Sequence, residues 1–312
     1  MIHAYPPQHN AGAETYVHQL HRWLVERGHR VTVLQRDPVY GSTWDGIKTT
    51  RRGPPRWTDR ITRTATILTH LDETPIAEAA ASRADRPLVH ILHNDKQLDF
   101  HGVHRADLII ANTHWLAETI PDRFEEVPRA VLYPPTFTAD YRTSSTERDA
   151  ITLVNMLDGK GAPLFYELAR RLPDRRFLAV TGAYGAQIPV PNLPNLDARP
   201  NRPNMAPVWD QTRIYLQPSI YESYGKAAVE ALASAIPVIA HPTDGLTESL
   251  GDAGIFCDRD RIDEWIAAIE DLDDPKSYRR QSRLARSRAE QLETETLDQL
   301  EEVERLLAKI AR

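Results

Sequence analysis

The chain has 312 residues, with 38 Lys and Arg against 44 Asp and Glu and a formal net charge of −6. Hydrophobic residues at 41% and charged residues at 26% suffice for the packed cores of two ordinary domains under a solvated surface, and the negative balance argues against a dedicated nucleic-acid binder. One cysteine, Cys257, excludes an internal disulfide framework and a cysteine-rich metal site, and fits a reducing compartment. No apolar run approaches a membrane span and the start, MIHAYPP, is no signal peptide, so a soluble, cytoplasmic protein is expected.

In chain order, Ile2–Tyr5 reads as a short strand stopped by Pro6 and Pro7. Ala13, Val17, Leu20 and Leu24 then recur at helical spacing, Gly28 suits a C-cap, and Val31–Leu34 reads as a buried strand. This is one strand–loop–helix–strand unit of a doubly wound sheet. Gly12 and Glu14 lie in its loop; an acid at Glu14 equally suits a plain helix N-terminus, where it complements the dipole. Residues 40–63 give no clear elements. The stretch KTTRRGPPRWTDRITR is basic and holds Trp57; it suits a solvated loop, or contact with an anionic or polymeric acceptor, nucleic acid included. Ala65–His70, Pro75–Ser82 and Pro87–Leu92 read as strand, helix and strand. His93 falls just past the carboxyl end of the last of these, where open α/β sheets hold ligands, whereas His90 inside the strand reads as a core residue. A buried strand, an Asn112-Thr113 cap with a short helix, and a strand at Ala130–Tyr133 follow. Polar Thr138–Asp149 reads as an interdomain linker.

A second sheet starts at Ile151. The strand ITLVN leads into the loop MLDGKG, which holds Lys160, and then into a helix over Pro163–Leu172. Arg176–Thr181 is the next strand, ended by Gly182, and residues 186–203, rich in Pro and Asn, read as an irregular loop. A short helix at Met205–Trp209 and a strand at Arg213–Gln217 feed the segment QPSIYESYGKAAVEALASAIPVIAHPTDGLTESL. Here Ser219, Ser223 and Gly225 crowd a turn, and Ala227, Ala228, Ala231, Leu232 and Ala235 follow at helical spacing. A helix starting near Gly225 presents free N–H groups and the positive end of its dipole, a place for a phosphate. Glu222 precedes that helix and Glu230 lies eight positions later, inside it. A carboxylate can accept two hydrogen bonds from a ribose diol, so the turn with Glu230 suits a nucleotide, and Glu222 would face what lies beyond the phosphates. Gly254–Cys257 reads as a strand and Arg261–Leu272 as a helix. From Pro275 onward the pattern is helical, with a seam of Leu297, Leu300, Val303, Leu307 and Ile310. The acidic runs Asp258-Arg259-Asp260 and Asp271–Asp274 read as solvated clusters rather than metal sites.

The element from Glu222 to Glu230, with its flanks PSIYESYGKAAVEALASAIPVIA and TDGLTESLGDAGIF, resembles the Glu-x7-Glu signature of retaining glycosyltransferases of family 4, the glycosyl transferases group 1. The resemblance implies an α/β GT-B fold: two Rossmann-like doubly wound domains facing across a cleft. Residues 1–140 would form the acceptor side and 150–285 the nucleotide-sugar donor side, with a C-terminal helix, 286–312, packing back toward the first domain. It implies a metal-independent, hexosyltransferase-like enzyme without a cofactor. Such an enzyme moves a sugar from a nucleotide-diphosphate sugar, UDP- or GDP-linked, to an acceptor hydroxyl with retention of anomeric configuration. Catalytic roles would fall to His93, Lys160 and Glu222. Donor binding would fall to Gly12, Asn155, Lys160, Gly182, Ser223, Tyr224, Gly225 and Glu230.

Two departures accompany the match. The loop AGAE resembles the family's GGxE, with Ala11 in place of the first glycine. In the first loop of the second sheet Lys160 and Gly161 match, while Val154 and Asn155 stand for the family's glycine and arginine. Asn155 can donate a hydrogen bond but brings no charge; Arg199 and Arg202 are candidates to replace the missing cation. The acceptor is open between a small molecule, a glycan, a lipid and, less favoured, a nucleic acid. The same fold serves sugar-nucleotide epimerases, and a degenerate nucleotide-sugar-binding protein is a further alternative.

Overall fold

The computed structural model describes every residue except 3, 7, 8, 10, 36–42, 52–64, 71, 72, 101, 144–146, 183 and 312. Most of the basic stretch, from Arg52 to Arg63, therefore lies outside the described residues, as do Pro7 and part of the polar 138–149 segment. The chain forms two compact units, Met1–Pro135 together with Glu295–Arg312, and Thr136–Thr294.

In the first unit α1 (Gly12–Glu26) buries Val17, Leu20 and Leu24 at the predicted spacing, with Tyr16 buried as well and Ala13 only half-buried, and runs into β1 (Thr32–Gln35). A hairpin of β2 (Thr43–Trp44) and β3 (Ile47–Arg51) follows. Asp45 and Gly46 both take positive φ, 45° and 75°, as a two-residue primed turn requires. β1 pairs with β3 in parallel. The predicted first strand is reduced to a single bridge, Ile2 to Gln35; the amide of Ile2 donates to Leu34 and the Met1 ammonium to Leu68. A four-stranded parallel sheet then forms in sequence order from β4 (Ile67–His70), β5 (Leu88–Leu92), β6 (Leu108–Ala111) and β7 (Arg129–Val131). Its crossovers carry α2 (Thr74–Ala84), α3 (Gln97–Phe100) and α4 (His114–Glu118), the last capped by Thr113, whose hydroxyl accepts from Leu116. A cavity of about 810 Å³ lies beside β1 and β4, lined among others by Val33, Ile67, Ile91 and Leu307.

The second unit is a six-stranded sheet in which every pairing is parallel, in the order β10 (Leu196–Arg199), β9 (Phe177–Val180), β8 (Ala150–Val154), β11 (Thr212–Gln217), β12 (Val238–Ala240), β13 (Gly254–Phe256). Helices α5 (Ala162–Arg171), α6 (Ala206–Trp209), α7 (Lys226–Ala233), α8 (Asp244–Leu250) and α9 (Ile262–Asp271) connect them. The strands are apolar on both faces, as in a sheet covered by helices on each side. One core packs α7 and α8 with Trp209 and Tyr215; the other packs α5 and α9 with Phe165, Phe177 and Trp265. β10 is an edge strand of half-exposed Leu-Asp-Ala-Arg inside the segment read as an irregular loop. The last helix, α10 (Pro275–Ile310), adds Ala285 and Ala289 to the second unit's core and places Leu300 and Val303, both fully buried, in the portion that groups with the first unit. Leu297 of the predicted seam is instead 36% exposed.

Strand order fixes where a ligand can sit. From β8 the chain turns one way to β9, while β11 lies on its other side. Loops leaving the carboxyl ends of β8 and β11 therefore part in opposite directions, the switch point at which open α/β sheets bind ligands.

Candidate nucleotide-sugar site

The loop after β8 and the turn after β11 meet at that switch point. Lys160 ends a short 3-10 turn, Asp158–Lys160, and its Nζ lies 2.5 Å from Oε1 of Glu222. The same oxygen accepts from Gln217 Nε2 and Ser219 Oγ, each at 2.8 Å. Gln217 is itself fixed by the hydroxyl of buried Tyr215, which donates to its Oε1 at 2.6 Å. Burial alone would depress the Lys160 ammonium, but the Glu222 carboxylate more than offsets this and its pKa stands above the ordinary lysine value.

Gly225 takes φ +83° and precedes the first residue of α7 without any side-chain cap; its carbonyl accepts from the amides of Ala228 and Val229, so Lys226 and Ala227 carry the N–H groups that a ligand at the helix start would meet. A Cβ at Gly225 would lie 2.3 Å from Leu246 Cδ2, so the turn tolerates no larger residue there. Ser223 is half-buried, whereas the Tyr224 ring is buried and its carbonyl accepts from Ser249 Oγ at 2.6 Å. Tyr224 thus offers the turn its backbone, not its ring.

One turn into α7, Glu230 is 9% exposed. Its Oε1 accepts from Lys226 Nζ at 2.6 Å and from the Tyr141 hydroxyl at 3.2 Å, and Lys226 also lies 3.3 Å from that hydroxyl. Tyr141 belongs to a 3-10 turn, Thr138–Tyr141, inside the segment read as a linker. Burial, with the Glu230 charge beside it, pushes the Tyr141 phenol up to about 12.

Asn155 and Gly182 come together, but around each other. Asn155 takes φ 75°, a conformation that asparagine tolerates better than most side chains. The left-handed residue is therefore Asn155 and not Val154, which the sequence match had set in the glycine place. The Asn155 amide oxygen accepts from Gln187 Nε2 at 2.9 Å, and Gln187 Oε1 in turn accepts from the amides of Gly182 and Met156 at 2.7 and 2.8 Å. A Cβ on Gly182 would fall 2.2 Å from Asn155 Oδ1, so that glycine is demanded by this contact. Arg199 sits on edge strand β10 with an exposed side chain that donates to Ala198.

The Asp258–Asp260 run holds a residue the composition reading passed over. Arg259 donates to the carbonyls of Asp158, Gly159 and Pro218 at 2.7, 3.2 and 3.1 Å, stitching the Lys160 loop to the end of β11. Asp258 and Asp260 are exposed, and among the described residues no group of three or more His, Cys, Asp or Glu could hold a metal ion. Lys226, Tyr141, Gln187 and Arg259 had no assigned role from sequence, and Ser219 was named there only as part of the turn. Only Lys226 carried a local signal, a lysine four residues before Glu230.

His93 and Gly12 lie in the first unit. His93 packs edge-on against His70 and Tyr16, with ring centroids 4.5 and 5.1 Å away, and its backbone amide donates to Gln97. Its Nε2 is buried and has no hydrogen-bond partner among the described residues. Burial lowers its pKa to about 4, against the opposing pull of Glu14. Gly12 opens α1, and a Cβ there would meet open space. His90 is a core residue whose Nε2–H donates to the Arg105 carbonyl at 2.9 Å.

Residues 155–274, which carry the whole constellation from Asn155 to Arg259, match the family model described as glycosyl transferases group 1. The match falls wholly within the second unit. A D-inositol 3-phosphate glycosyltransferase of Corynebacterium aurimucosum is 28% identical to this chain over 214 residues, 56% of this chain and 51% of that protein. The chain spans about half the length, or less, of the curated relatives it matches. Among solved structures, sucrose-phosphate synthase of Thermosynechococcus elongatus superposes with a TM-score of 0.77 at 16% identity, covering 99% of each chain. HepE of Anabaena, solved in complex with UDP-glucose, gives 0.74 at 15% identity, covering 97% of this chain and 99% of that one. The fold is α/β of the GT-B class, with a parallel sheet in each unit. No helix among the described residues is long and apolar enough to cross a membrane.

Proposed function

We propose that this protein is a glycosyltransferase that moves a sugar from a nucleotide-diphosphate sugar to an acceptor hydroxyl, with retention of anomeric configuration and without a metal ion or cofactor. The observation that carries the reading is the pairing of Lys160 with Glu222 at the uncapped start of α7, one turn from Glu230. Departure of the diphosphate leaves negative charge on its oxygens while the sugar becomes oxocarbenium-like. A fixed ammonium, a helix N-terminus and backbone amides stabilise that charge without reorganising.

In this reading Lys160 and the amides around Ser223, Tyr224 and Gly225 take the diphosphate, Glu222 takes sugar hydroxyls, and Glu230 takes the ribose diol. Gly182 lets backbone approach the base, and Asn155 shapes that loop. His93 and Gly12 enter as first-unit candidates for catalysis and donor approach. UDP-sugars are the first donors to try, since the HepE comparison carries UDP-glucose. Phosphorylated polyols are the first acceptors to try, on the printed activity of the curated relatives. Action inside the cytoplasm is part of the same proposal.

The absence of charge on Asn155 and its bond to Gln187 favour one second reading, a nucleotide-sugar-binding protein with weakened turnover. Incubation with a panel of nucleotide sugars separates the two. Nucleoside diphosphate release that depends on acceptor supports transfer. Saturable binding without release supports the binding protein, and an altered sugar without release supports an epimerase.

A further inference from the structure

The ion pair inside α7 runs against helix electrostatics. Lys226 is the first residue of the helix, at the positive end of its dipole, and Glu230 follows four positions later. Cations are favoured at the opposite end of a helix. Lysine ahead of glutamate is also the weaker order for an i, i+4 pair. Solvent does little to soften the arrangement, because the two side chains are 11% and 12% exposed. Tyr141 closes the third side, its ring 5.7 Å from the ammonium. Such a cation sits poorly for the helix and well for an anion beside the helix start.

Charge balance at the turn points the same way. Lys160 with Glu222 and Lys226 with Glu230 make two pairs that sum to no net charge. A diphosphate brings two or more negative charges to that place, and Asn155 offers none of the opposite sign. The contacts to Glu230 fall on Oε1, which leaves Oε2 for hydroxyl donors.

We propose that Lys226 is a diphosphate ligand of the nucleotide-sugar site, and that binding exchanges partners: the ammonium moves from Glu230 to a phosphate oxygen while the Glu230 carboxylate takes the ribose hydroxyls. This rests on the nucleotide-sugar reading above. The alternative role for Lys226 is to hold Glu230 in place, which affects the nucleoside part of the ligand as much as the phosphates.

The test compares UDP, GDP, ADP and dTDP with their nucleosides by titration calorimetry on the wild type, Lys226→Met and Lys226→Arg, with melting curves to verify folding. For the diphosphate that the wild type binds, Lys226→Met should weaken binding by roughly ten-fold or more, the size of one charged contact. Affinity for the matching nucleoside should change less than two-fold, and Lys226→Arg should keep most of the diphosphate affinity. Because Lys226→Met leaves Glu230 without its ion pair, the same change is also made in a Glu230→Gln background, where the ten-fold loss should persist. Equal losses for nucleoside and diphosphate, no loss at all, or a loss that vanishes with Glu230→Gln each overturn the proposal. A wild type that binds none of the four diphosphates removes the nucleotide-sugar reading itself, and this inference with it.

Discussion

Nζ of Lys160 and Oε1 of Glu222 stand 2.5 Å apart although 62 positions separate the two residues in the chain. The contact exists because β8 and β11 are neighbours in the sheet and their exit loops part at the same point. If the pair serves the departing diphosphate, Lys160→Met should lower kcat for nucleoside diphosphate release by about 10²–10³-fold. KM for the donor should change far less. Steady-state release assays with a verified donor check this, and an unchanged kcat would remove Lys160 from the chemistry.

Arg259 acts on that pair at one remove, through the Asp158, Gly159 and Pro218 carbonyls. Arg259→Met should lower stability by about 1–2 kcal/mol, since hydrogen bonds to a charged group are lost at a partly exposed place. It should also reduce kcat roughly ten-fold by loosening the Lys160 loop. Nucleoside affinity, which the proposed function assigns to Glu230 in α7, should stay as in the wild type. Loss of nucleoside binding in this variant would show that the effect is general unfolding of the unit.

Gln187 joins the amides of Gly182 and Met156 to the Asn155 side chain. Gln187→Leu keeps the volume and removes every one of these bonds. Leaving such groups unpaired costs about 1–3 kcal/mol, so a denaturant midpoint shifted by that amount is expected. A midpoint within error of the wild type would mean that water replaces Gln187 without loss.

Acid should destabilise the first unit. Burial holds His93 at about 4 and His21 at about 3, below the ordinary 6.5. Both histidines are neutral in the folded protein where the unfolded chain already binds protons. Stability is therefore fully present above about pH 6.5 and declines as pH falls toward 4, where His93 begins to protonate in place. His93→Gln removes one such contribution and leaves those of His21, His18 and His90, so its melting temperature should fall less steeply between pH 7 and 5. Parallel melting curves for wild type and variant decide this.

The helix after Gly225 and the placing of Glu222 and Glu230 were legible in the sequence, because small and apolar residues recur at helical spacing behind a glycine turn. What surrounds them was not. Tyr141 sits in a polar segment without periodicity, and only tertiary packing brings its hydroxyl to Glu230. Asn155 read as a weak substitute for a cation, whereas its backbone angle explains an asparagine there. β10 escaped notice because an edge strand can be half-exposed and short of β-branched residues. The hairpin at Asp45 and Gly46 did leave its signal, an Asp-Gly pair between short strands, among residues that otherwise showed no pattern.

Glu222 is gripped through one oxygen by Gln217 and Ser219, and that grip persists wherever the Lys160 ammonium goes. If Glu222 takes sugar hydroxyls as proposed, a carboxylate so anchored does not swivel to follow them. Two sugars that differ only in an axial or equatorial hydroxyl would then meet the same stationary acceptor, and only one could reach it. The stereochemistry of a single ring carbon would become a difference in binding energy, set by two neutral side chains that never touch the sugar.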